Sequence, residues 1–273
     1  MSRELAVEVH GVTKRFPRRT GGWPWRPRRH EVALHPIDLE LAAGTTIGVI
    51  GPNGSGKSTL VRIISTLLLP DSGWARVFGH DVVDEARVVR RHVNRVSVEA
   101  AFFKELSAWE NLLYAARLYN TPVPGLRARV EELLGRFGLR RSFIDRPLRQ
   151  LSRGQQQKVA IARSLLTAPS LLLMDEPTTG LDPRSKREVQ EMIDIMRSER
   201  EVTIVVCTHD MAEAESLCER VLLMDRGRVL ADGTPSELGS LEKLFFERAG
   251  RAMEDADFDG EKAKEAEEVR AAC

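Results

Sequence analysis

Cysteine is scarce in this chain: Cys207, Cys218 and Cys273 are the only three among 273 residues. Their spacing suits neither a disulfide framework nor a metal-ligand set, which points to a reducing compartment. Long apolar runs are missing as well. No stretch approaches the ~18 consecutive apolar residues of a membrane-crossing helix, and the N-terminus lacks the apolar core of a secretory signal. Any membrane crossing is therefore expected from another chain. A surplus of one charge is also absent. The 41 Lys and Arg against 40 Asp and Glu leave a formal net charge of +1, so no global field favours a nucleic-acid partner. What is present is a hydrophobic fraction of 42%, enough for a sizeable core, and 30% charged residues for a solvated surface. The length suits a single α/β unit, which often reaches about 250 residues.

The most informative stretch is Gly51-Pro52-Asn53-Gly54-Ser55-Gly56-Lys57-Ser58-Thr59. It fits G-x-x-x-x-G-K-[ST], the phosphate-binding loop. A short apolar run, Thr45 to Ile50, precedes it as a buried strand would. Leu60 to Ser65 follows with helical spacing. Glycines let the backbone curl around a phosphate, and the helix N-terminus adds partial positive charge. In such a loop Lys57 reaches the β- and γ-phosphates, and the Ser58 hydroxyl is a Mg²⁺ ligand. A nucleoside triphosphate is the expected ligand.

Before this loop, Leu5 to Val9 alternates as a half-buried strand, and Pro36 to Leu41 forms a second strand. Between them lies a basic hairpin, 17–29, rich in Arg, Pro and Gly and carrying Trp23 and Trp25. It is either a solvated tip or a contact with lipid headgroups. Trp74 to Val77 reads as another strand. Helical patterns over Glu85 to Arg91, Ala108 to Tyr119 and Arg127 to Phe137 suggest a helical insertion spanning about 86–162. Then comes Leu171-Leu172-Leu173-Met174, an unbroken apolar run ending in Asp175-Glu176. This suits a central parallel strand whose carboxyl end opens onto the ligand. There Asp175 is placed to share Mg²⁺ with Ser58, and Glu176 to orient or deprotonate the attacking water. Helix Lys186 to Arg197, strand Val202 to Val206, helix Ala212 to Cys218 and a hairpin over 221–230 follow. His209 stands just past the strand Val202 to Val206. The region 251–273 is acidic and poor in apolar residues, as a flexible tail is.

Five motifs in this order resemble the ATP-binding cassette (ABC) family over nearly all of Leu5 to Leu241. They are the phosphate loop, Leu151-Ser152-Arg153-Gly154-Gln155, Asp175-Glu176, Gly180-Leu181-Asp182 and His209. The resemblance implies a RecA-like P-loop NTPase core of the α/β class, with an antiparallel β-subdomain and an inserted α-helical subdomain, all within 1–250. It implies an ATPase using ATP and Mg²⁺. Two cassettes, identical in the simplest case, would sandwich two nucleotides, with Ser152, Arg153, Gly154 and Gln155 of one capping the triphosphate held by the other. His209 would sense the γ-phosphate and link Glu176 to Asp182 of the second subunit. Arg153 replaces the family's usual glycine: its bulk hinders close approach, or its charge adds attraction. Gly154 is left for backbone approach to the nucleotide. Phe16 falls where the family stacks an aromatic on adenine, with a buried core role as the alternative. The family's glutamine before Glu105 is missing. Val98 occupies its place, with Glu99 beside it as a substitute magnesium ligand.

The resemblance further implies membrane permease subunits as partners, at the cytoplasmic face of the membrane, with force passing through the groove near Ala100 to Trp109. Phe102 and Phe103 are either its apolar contacts or subdomain core. The stretch Leu118 to Leu139 and the ending around Ser240 to Arg248 look like exporters of drugs or surface polysaccharides. The competing class is a soluble ABC ATPase that moves no solute, and a plain kinase or GTPase leaves the Ser152 motif unexplained.

Overall fold

The computed structural model describes residues 4–18, 29–97, 102–199 and 202–249. The hairpin tip, the positions of Val98 and Glu99, and the acidic tail lie outside these residues.

Two sheets organise the chain. The first is antiparallel, in the order β2 (Arg29–Ala42), β1 (Leu5–Arg18), β4 (Ser72–Val77), β5 (His80–Asp81). The second runs β10 (Arg228–Gly233), β9 (Arg220–Asp225), β3 (Thr46–Ile50), β8 (Thr203–Thr208), β7 (Leu171–Asp175), β6 (Val93–Val96). All its pairings are parallel except β9 with β10. Strands β3, β7 and β8 are buried at every position. Their continuous apolar runs follow from being covered on both faces.

Alternation along these strands divides the interior in two. Leu172, Met174, Ile204 and Val206 join one cluster with the helices inserted after β6. Leu171, Leu173, Val205 and Cys207 join the other, with the antiparallel sheet and α1 (Lys57–Ile64). A strand has period two, so neighbouring residues must face opposite cores.

Helix α2 (Ala86–His92) leads into β6, which pairs with β7. The helical insertion therefore starts after Val96 and not at residue 86, because β6 belongs to the core sheet. It comprises α3 (Ala108–Leu118), α4 (Leu126–Arg136), two short 3-10 turns and α5 (Arg153–Leu165). Leu112, Leu126, Leu134, Ile144 and Leu148 are fully buried there. Helix α6 (Pro183–Glu199) packs on α5; α7 (Met211–Leu217), the short α8 (Pro235–Leu238) and a last helical stretch over 241–249 complete the described helices. The β1–β2 ladder extends beyond the short strands expected from sequence, through to Arg18 and Arg29. No described helix is long and apolar enough to cross a membrane.

Candidate functional site

A cleft of about 480 Å³ opens beyond the carboxyl ends of β3 and β7, lined by the phosphate loop from Asn53 to Thr59, Phe16, Glu31, Val32, Ala33, Asp175 and Glu176. Ligands of open parallel sheets bind at such strand ends. The loop leaves β3 through Gly51, at φ +154°, where a side chain would strike the Met224 carbonyl and stand 2.7 Å from Ser55 Oγ. It enters α1 through Gly56, at φ +103°, where a β-carbon would lie 2.7 Å from Leu34 Cδ2 and 2.8 Å from the Ala33 oxygen. Only glycine fits both positions. Lys57 is buried, and its Nζ donates to the carbonyls of Gly51 (2.6 Å) and Pro52 (3.0 Å). Ser55 Oγ is buried with no hydrogen-bond partner among the described residues. An orphaned buried hydroxyl is costly unless a ligand completes it.

Asp175 ends β7. Its Oδ1 lies 3.4 Å from Ser58 Oγ, and its Oδ2 is paired with Arg95 Nη2 at 2.6 Å. Arg95 comes from β6, whose short sequence Val-Asn-Arg-Val carries no motif that marks a site. Glu176 follows with φ +53°, a left-handed backbone uncommon for a residue with a side chain. Its amide donates to the Cys207 carbonyl (2.8 Å), which ties the turn to β8. Its Oε2 accepts from Thr179 Oγ1 (2.7 Å) and contacts His209 Nδ1 at 2.7 Å. The sequence-derived pair Glu176 and His209 thus meets directly.

Beneath them sits Glu213, 2% exposed, accepting from Thr178 Oγ1 (2.6 Å) and Thr208 Oγ1 (2.8 Å). It joins the loop after Glu176 to the strand end before His209. In the sequence it is one of two acids in a short helical stretch, with no mark to set it apart. Cys207, behind the site, has its thiol pKa pushed up by burial and by the Asp175 carboxylate.

Other predicted residues lie elsewhere. Ser152 caps α5: its Oγ accepts from the Gln155 amide (3.2 Å), and Gln155 Oε1 accepts from the Ser152 amide (2.9 Å). Gly154 is buried against α6, where a side chain would run into Ser185. Its lack of a β-carbon lets α6 pack closely against α5 within this chain. Arg153 is exposed, and its Nη1 would stand 3.2 Å from a β-carbon placed on Gly180. Asp182 accepts from Ser185 Oγ (2.6 Å) and from the amides of Ser185 and Arg184, and these bonds hold its carboxyl below the usual range. Phe16 is 37% exposed at the cleft mouth, beneath Lys14, which excludes a fully buried core role. Phe102 packs on the core, whereas Phe103 is exposed, edge-on to Tyr114 with ring centroids 5.1 Å apart. Glu99 lies outside the described residues.

A parallel sheet with a phosphate loop after one strand and an acid pair after another defines the P-loop nucleoside triphosphatases. Residues 34–179 match the family model described as "ABC transporter", and the chain belongs to that family. It is an ATP-binding, ATP-hydrolysing subunit of that transporter class. The daunorubicin resistance ATP-binding protein DrrA3 of Streptomyces coeruleorubidus is 40% identical over 235 residues, covering 86% of this chain and 70% of the relative. The methionine import ATP-binding protein MetN of Nocardia farcinica is 40% identical over 252 residues, covering 90% and 70%. A dimeric, post-hydrolysis structure of the ATP-binding cassette MJ0796 bound to ADP and Pi superposes with a TM-score of 0.70. It is 29% identical and covers 84% of this chain and 98% of that one.

Proposed function

We propose that the chain is one of two cassettes that close around ATP and Mg²⁺ and drive export through separate membrane subunits. The observation that carries this reading is the 2.7 Å contact between Glu176 and His209 beside the phosphate-loop cleft. The residues fit the absent ligands. Ser55 Oγ awaits a partner, Lys57 is close enough to exchange its carbonyls for phosphate oxygens, and Ser58 with Asp175 offers the hard oxygens that magnesium takes. When bound, Mg²⁺ offsets charge on the β- and γ-phosphate oxygens.

The chain's own groups have these roles. Phe16 stacks on the adenine, and the phosphate loop, Gly51 to Thr59, holds the phosphates. Glu176 accepts a proton from, or orients, the attacking water, and His209 keeps that carboxylate in place and meets the γ-phosphate. General-base assistance of this kind supplies typically about 10²–10⁴-fold. Ser152, Arg153, Gly154 and Gln155 face the nucleotide of the partner cassette, and Asp182 lies near the same boundary. The dimeric form of the MJ0796 cassette supports the pairing. ATP drives closure to the extent that it binds the closed state more tightly.

The exposed pair Phe103 and Tyr114 on the helical subdomain supports a permease contact at the cytoplasmic face. The drug-resistance relative favours export, while the similar methionine-import relative makes direction a matter for direct assay.

The decisive variant is Glu176→Gln. It should retain ATP, accumulate as a nucleotide-bound dimer on size exclusion and lose at least ~100-fold in turnover. Normal hydrolysis would remove Glu176 from its role. Co-purification with neighbouring membrane subunits from detergent extracts tests the transport half. A protein that stays wholly free of membranes when those subunits are expressed is a soluble ATPase.

A further inference from the structure

The two oxygens of Asp175 have different neighbours. Oδ1 is turned toward Ser58 Oγ at 3.4 Å, and Oδ2 is held by Arg95 Nη2 at 2.6 Å. Arg95 lies on β6, the edge strand, in register with Leu173 of β7. The pair is largely shielded, the side chains being 27% exposed for Arg95 and 10% for Asp175. Arg95 Nε is buried without a hydrogen-bond partner among the described residues. The guanidinium therefore binds the carboxylate while leaving one of its own donors unmet, an arrangement that packing alone would disfavour.

We propose that Arg95 is a positioning residue for the magnesium-binding carboxylate: it occupies Oδ2 and so presents Oδ1 and the Ser58 hydroxyl to one cation. This rests on the ATPase reading above and adds a residue to that site. Ligating carboxylates commonly need such an outer partner, and its loss costs about 10–100-fold in metal affinity. A competing effect has the opposite sign. A guanidinium is a like charge beside the cation, so if repulsion were its main influence, removing it would tighten magnesium binding. The direction of the change separates the two.

The test measures affinity of the purified full chain for ATP across a Mg²⁺ titration and in EDTA, for the wild type, Arg95→Met and Arg95→Lys. Arg95→Met should need about 10–100-fold more Mg²⁺ to reach the same ATP affinity, while ATP binding in EDTA stays within about twofold of wild type. Arg95→Lys, which keeps the charge and a donor but on a shorter stem without the planar guanidinium, should recover part of the loss. An unchanged or lower Mg²⁺ requirement in Arg95→Met overturns the proposal. If that variant does not fold, Arg95→Lys decides alone: a raised requirement supports the role, and a wild-type one rejects it. A wild-type chain that binds no ATP at any Mg²⁺ concentration overturns the ATPase reading and this proposal together. Mg²⁺-dependent binding that Arg95→Met leaves intact overturns this proposal only.

Discussion

Lys57 is a buried cation that spends its hydrogen bonds on the Gly51 and Pro52 carbonyls, both within its own loop. A triphosphate offers charged oxygens in their place, and charge-assisted bonds are about twice as strong as neutral ones. Lys57→Ala should therefore weaken ATP binding by about 2–3 kcal/mol, near a hundredfold, in a fluorescent-nucleotide titration. Unchanged affinity would mean that the loop is not the phosphate site. At this scale the sequence revealed residues with a fixed spacing. Lys57 and Ser58 open α1 within a glycine-rich motif, Asp175 and Glu176 close an apolar strand, and all four line the cleft. Arg95 and Glu213 were hidden because each acts across strands: Arg95 reaches from β6 to β7, and Glu213 bridges from α7 to two threonines. Linear spacing carries no mark of such contacts.

Among elements, α5 shows how one short motif meets two demands. Ser152 closes a capping box with Gln155, and Gly154 lets α6 come close. Ser152→Ala should cost about 1 kcal/mol in stability through the lost cap. Gly154→Ala should cost about 1–3 kcal/mol by overpacking against Ser185, partly offset by alanine's better helix propensity. Denaturant unfolding of each variant measures both, and an equally stable Gly154→Ala would show that α5 and α6 have room to spare. The element most easily missed from sequence was β6, because Val-Asn-Arg-Val lacks the continuous apolar run of β7 and β8. Its place at the sheet edge explains the difference. Only one flank is paired, so Asn94 can bond to the Ser164 carbonyl while Arg95 serves Asp175. Strand β1 ran longer than its alternating segment suggested because its register with β2 continues through several irregularities that break strict periodicity.

Over the whole molecule, ion pairs tie separate helices together. Glu188 of α6 has its pKa lowered chiefly by the buried Lys158 of α5, at 2.8 Å. Asp210, at the start of α7, is raised by burial, but the bonds from Lys186 and the Glu213 amide outweigh this and leave it below normal. Both groups are more acidic folded than unfolded. Their contribution to stability is complete above the unfolded value near 4 and declines as pH drops through the lower folded values. The melting temperature should hold steady from pH 7 to about 5 and fall below about 4, with a smaller fall for Glu188→Gln. A flat profile down to pH 3 would exclude these pairs as stabilising.

Glu213 also has a mechanical consequence. A single carboxylate pins the Thr178 and Thr208 hydroxyls from below, so the turns bearing Glu176 and His209 share one anchor. Their separation is set by the interior of the subunit before any nucleotide arrives. On the proposed pairing, a second cassette brings a lid over an already spaced pair of side chains, and a loosened anchor is expected to slow hydrolysis while leaving the lid able to shut.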